Sequence, residues 1–99
     1  MTTIALTATL ATAVTTGVAL ASYPGAQYAS HARVSLPQAR AIATRAFHGT
    51  IVSQELEYER GGSGLRYTFD VKTPRGVREI GVDARDGAVL ENTQDGPGR

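Results

Sequence analysis

The side chains able to do chemistry in this chain are two histidines, His31 and His48, and a set of hydroxyls and carboxylates: Thr50, Ser53, Glu55, Glu57, Glu59 and Ser63. Hydrolysis needs a nucleophile or a carboxylate pair beside a base in a pocket. None of Thr50, Ser53 and Ser63 has a histidine or aspartate partner at a telling position. Glu55, Glu57 and Glu59 recur at every second residue, which puts them on one solvated face of a strand rather than around a cleft. His31 stands alone, and a metal site needs several converging donors. His48 falls at the end of a helical pattern, where Arg45 and a histidine suit the negative pole of the helix. There is no cysteine, so disulfides and thiolate metal sites are excluded, although the compartment is not decided by that.

Two loops invite a ligand reading and lose it on detail. Gly61-Gly62-Ser63-Gly64 lacks both the Walker lysine and a dinucleotide-binding spacing, so it reads as a flexible hairpin loop. Asp83-Ala84-Arg85-Asp86-Gly87 lacks the alternating oxygen ligands and closing glutamate of a calcium loop, and turn formation accounts for Asp83, Asp86 and Gly87. No catalytic, cofactor-binding or metal residue is assigned, and no partner-binding residue is named. The chain is read as a non-enzyme without a cofactor.

The elements that position these residues are short. Ninety-nine residues with a net charge of +1 allow one domain and give no basic stripe for nucleic acid. Residues 1–21 are set apart: Ile4 to Ala21 is uncharged, and two cleavage sites between small residues go with it, Ala19-Leu20-Ala21 and Ala26-Gln27-Tyr28-Ala29, as in a secretory signal, with a membrane anchor as the alternative. After leader cleavage no membrane insertion is expected. Residues 22–34, with Pro24 and Gly25, read as a linker.

A helix then begins at Ser35, where Ser35 and Gln38 form a capping box and Pro37 lies in the first turn. Leu36, Ala39, Ile42, Ala43, Ala46 and Phe47 make one apolar stripe, and Gly49 is expected to close the helix in a left-handed conformation. The period then changes to two. Strands are expected over Ile51 to Arg60 (Val52, Gln54, Leu56 and Tyr58 inward), Leu65 to Thr73, Val77 to Asp83 and Ala88 to Asn92. Short glycine-containing turns make neighbouring strands antiparallel. The fold class is therefore α+β: one N-terminal helix packed on a four-stranded antiparallel sheet, built from residues 35–92, with 93–99 a flexible tail. The helix stripe is expected to cover Val52, Leu56, Tyr67, Phe69, Ile80, Val82 and Leu90.

The order of these pieces resembles the PepSY domain. The likeness rests on Ser35-Leu36-Pro37-Gln38-Ala39 with Ile42-Ala43, on Gly49 before Leu56-Glu57-Tyr58, and on Tyr67-Thr68-Phe69-Asp70-Val71. Ile80-Gly81-Val82-Asp83-Ala84 and Asp86-Gly87-Ala88-Val89-Leu90 close it. Gly81 departs from the bulkier polar residue expected there. PepSY domains occur in propeptides of secreted metallopeptidases and in extracytoplasmic bacterial proteins. The resemblance implies a secreted or periplasmic module that binds a protein, a peptidase among the partners, and regulates or inhibits it. The alternative is a structural or sensory envelope domain with no peptidase target. The family carries no catalytic residue to transfer.

Overall fold

The computed structural model describes residues 22–95; the leader expected over 1–21 lies outside them. A 3₁₀ helix, Ala26–His31, precedes α1 (Leu36–Ala46), β1 (Thr50–Tyr58), β2 (Leu65–Thr73), β3 (Gly76–Asp83) and β4 (Val89–Asp95). The four strands form one antiparallel meander in sequence order. The α+β expectation is met, helix first and sheet after.

The helix starts as the capping pattern requires. Gln38 N–H donates to Ser35 Oγ, and Ser35 N–H donates to Gln38 Oε1 at 2.8 Å. Ala39 and Ala43 are fully buried, and their small side chains bring the helix close to β2 and β3. Beneath lie Leu56, Leu65, Tyr67, Phe69, Val71, Ile80 and Val82, all buried. The Tyr67 and Phe69 rings stack at 6.2 Å. Arg78 caps this core at one end, its guanidinium 4.3 Å above the Phe47 ring.

The helix ends differently from the expectation. Phe47 turns out into extended backbone and its N–H bonds Ala43 O; Gly49 is absent from the left-handed residues. What Gly49 provides is space, because a Cβ there would lie 2.6 Å from both Lys72 O and Val71 Cγ1.

β1 also departs from simple alternation. Its register with β2 shifts between Ile51 and Ser53, so Val52 is an extra, bulged residue. Ile51 then packs against the core, while Val52 is 54% exposed and Tyr58 51% exposed. Val52 is thus not a core residue, and Leu90 is only half-buried. Past the expected strand end, Thr93 and Asp95 pair with Glu79 and Val77.

Residues 22–34, read as a linker, run as a strap along the outer edge of β1. Leu56 N–H donates to Pro24 O at 2.9 Å, and Arg33 and Val34 N–H both donate to Ala84 O. Tyr67 OH donates to Val34 O. Tyr23, Tyr28, Ala32 and Val34 pack against the core.

Candidate functional site

The helix covers one face of the sheet and leaves the other bare of any element among the described residues. Alternation puts Ser53, Glu55 and Glu57 of β1 on that open face, with Arg66, Thr68, Asp70 and Lys72 of β2, Glu79 of β3, and Glu91, Thr93 and Asp95 of β4. The face is strongly acidic, and its charges are unevenly compensated.

At one end Arg66 neutralises its neighbours. Its side chain is nine-tenths buried, with Nη1 3.5 Å from Glu59 and 3.4 Å from Glu91, and Nη2 donating to Arg60 O. Its Nε is buried without a partner among the described residues. Gly81 packs closely under this side chain: a Cβ at that position would sit 3.1 Å from Arg66 Cδ and 3.2 Å from Glu91 Cβ, so the arginine would have to give way to a larger residue there.

At the other end Lys72 of β2 also points to the open face, in the row of Val77 and Asp95, but it forms no ion pair with the acids there among the described residues. One carboxylate oxygen from each of Asp70, Glu79 and Asp95 lies within 4.8 Å of the others. Asp70 accepts from Ser53 Oγ, while no hydrogen-bond donor or cation reaches Glu79 or Asp95 among the described residues. Burial raises the Glu79 pKa, and the charges of Glu91, Asp95, Asp70 and Glu59 raise it further. A groove of about 520 Å³ crosses the face from Tyr23 and Pro24 of the strap, past Glu55 and Thr68, to these three acids. The three oxygens could hold a hard cation or a cationic side chain; a calcium ion takes roughly six to eight oxygens.

The loop Gly61–Gly64 is tied down rather than flexible. Asp83 is fully buried; its Oδ2 accepts from Ser63 N–H and its Oδ1 from Ser63 Oγ, Arg85 N–H and Asp86 N–H. Burial alone would raise the Asp83 pKa, but these four donors outweigh it and lower it from 3.8 to about 2. Arg85 Nη1 adds a bond to Ser63 O.

Of the three hydroxyls weighed as nucleophiles, Ser53 donates to Asp70 and Ser63 to Asp83, while Thr50 is exposed at the start of β1. His31 lies in the strap, with Nδ1 2.6 Å from Tyr58 Oη. His48 is exposed beyond the end of α1. Local pattern does not reveal the three-acid cluster, because its members come from three strands; Asp95 moreover falls within 93–99, expected as a flexible tail.

A family model described as Peptidase propeptide and YPEB domain, PepSY, matches residues 33–93, more than half of the chain. The chain belongs to the PepSY family. Comparison with curated proteins and with solved structures returned no match. The PepSY match spans α1 and all four strands up to Thr93. The strap before Arg33 and the acid at Asp95 therefore lie outside the matched region. No helix among the described residues is long and apolar enough to cross a membrane.

Proposed function

We propose that this chain is a small extracytoplasmic PepSY module that binds a peptidase or another envelope protein and regulates or inhibits it, without catalysis of its own. The observation that carries this reading is the match of residues 33–93 to a peptidase-propeptide domain. The site supports it: Ser53 and Ser63 donate to the Asp70 and Asp83 carboxylates with no histidine in either contact, and the Asp83 carboxylate is taken up by four donors, so the groups present favour holding a partner over transforming one. Two surfaces serve such a role. One is an exposed sheet edge able to take a partner strand. The other is the Gly61–Gly64 loop, which Asp83 and Arg85 hold in one shape, as a cleft-docking loop requires.

The test is inhibition together with capture. The purified chain is expected to lower the activity of a co-encoded or co-secreted peptidase and to retain that enzyme on an affinity column. No inhibition and no partner from envelope extract would overturn the reading. N-terminal sequencing of the exported protein separates leader from anchor: a cleaved leader is expected to leave a start after Ala21 or after Ala29, and a retained anchor a start at the first residues.

A further inference from the structure

The sheet has two edges, and they are not equivalent. The β1 edge is already occupied over its second half: Pro24 O takes the Leu56 N–H, and Tyr28 packs edge-on against Tyr58 at 4.9 Å. Gly25 sits so tightly on that edge that a Cβ would fall 1.7 Å from Leu56 O. Over its first half β1 is bent by the bulge at Val52, a feature that blunts strand addition. β4 has no strand on its outer side among the described residues. Its own register shift falls at Leu90, near its start, and from Glu91 to Asp95 its register with β3 is unbroken, so that half offers a straight ladder for pairing.

That open edge borders the uncompensated end of the acidic face. A strand added beside β4 places its alternate side chains about 5 Å from those of Glu91, Thr93 and Asp95. Glu91 already faces Arg66. The Asp95 carboxylate lies with those of Glu79 and Asp70, all three oxygens within 4.8 Å of one another, and Lys72, on the same face, forms no ion pair with them among the described residues. A long cationic side chain opposite Asp95 would end among those three carboxylates and supply the charge the fold leaves out. A second copy of this chain pairing through its own β4 would instead bring Glu91 and Asp95 to the same junction, a like-charge arrangement that opposes the contact.

We infer that the β4 edge is the docking edge of this module, and that its occupant is an extended protein segment carrying lysine or arginine at alternate positions. One of those cations sits among Asp70, Glu79 and Asp95. This inference rests on the reading of the chain as a partner-binding module and names the surface and chemistry of that partner.

The full chain, isotope-labelled, is titrated with three synthetic peptides of equal length. One alternates lysine and valine, one alternates glutamate and valine, and one is the lysine peptide with alternate backbone amides N-methylated. The lysine peptide is expected to bind, with amide shifts concentrated on Glu91–Asp95 and, more weakly, on Val77–Glu79, and to weaken as salt is added. The N-methyl peptide keeps the charge but cannot extend the ladder, and is expected to lose most of the affinity. Asp95→Lys combined with Glu79→Gln is expected to weaken the lysine peptide about fivefold or more. Thermal unfolding of that variant confirms that it is folded.

Shifts centred on β1 or the strap, equal binding of the N-methyl peptide, or self-association through β4 would each overturn the inference. Peptide binding at β4 with no partner captured and no peptidase inhibited would sink the regulatory reading and leave the surface standing. Capture and inhibition insensitive to Asp95→Lys would do the reverse.

Discussion

Asp83 shows how much one buried carboxylate can decide. It joins the turn after β3 to the loop after β1, accepting from Ser63, Arg85 and Asp86 at once. Its pKa is depressed from 3.8 to about 2, so its stabilisation is present above about pH 4 and lost as pH falls through about 2. At about 1.4 kcal/mol per unit, that depression from 3.8 to about 2 corresponds to about 2 kcal/mol. Asp83→Asn is expected to lose about that much at pH 7, because an amide cannot accept from all four donors. In urea melts the gap between the native protein and the variant should close between pH 4 and pH 2; a gap constant with pH would contradict the assignment. Part of this was legible: an aspartate two and three residues before the amides it caps is a local turn signal. The bond to Ser63 was not, because it joins positions twenty apart in the chain, and glycine-rich spacing alone does not say which distant acid a loop will meet.

At the scale of elements, local chemistry proved readable and edge chemistry did not. The capping box at Ser35 and Gln38 and the change of period after Gly49 place α1 and β1 from neighbouring residues alone. The bulge escaped notice because Ile51 and Val52 are both β-branched and apolar, so either fits an inward position. The structure picks Ile51 and leaves Val52 exposed. Val52→Ala is therefore expected to change stability by less than about 0.5 kcal/mol, and Ile51→Ala to cost roughly 1–2 kcal/mol at this half-buried site; chemical denaturation of the two variants separates them. The strap was missed for a similar reason: it has no period, and its hold on β1 comes from single contacts such as Pro24 O to Leu56 N–H. Gly25 carries that contact at φ 88°, facing Leu56 O. Gly25→Ala is expected to lift the strap from β1, which hydrogen exchange would report as faster exchange at the Leu56 amide with α1 unchanged.

Over the whole molecule a net charge of +1 conceals a sorted surface. Arg40 and Arg45 are exposed on α1, while Glu55, Glu57, Asp70, Glu79, Glu91 and Asp95 share the opposite face of the sheet with only Arg66 and Lys72 of β2 beside them. The cost of that sorting falls on Glu79, whose pKa is raised by burial and by the surrounding acids. A carboxyl with a raised folded pKa holds its proton more tightly when folded. Its contribution is greatest below the unfolded value and is lost as pH rises through the folded one. At neutral pH the ionised Glu79 therefore opposes folding. Glu79→Gln carries no charge at any pH, so the variant should melt above the native protein at pH 7 and close to it at pH 3. The gain should be modest because Glu79 keeps some contact with water. Salt should produce part of the same gain in the native protein, since it screens the acids from one another, and less of it in the variant. Melting curves at both pH values, each at low and high sodium chloride, give the comparison. A variant less stable than the native protein at pH 7 would mean that Glu79 is held by favourable contacts, and that the acidic face is a solved part of the fold rather than a surface awaiting a cation.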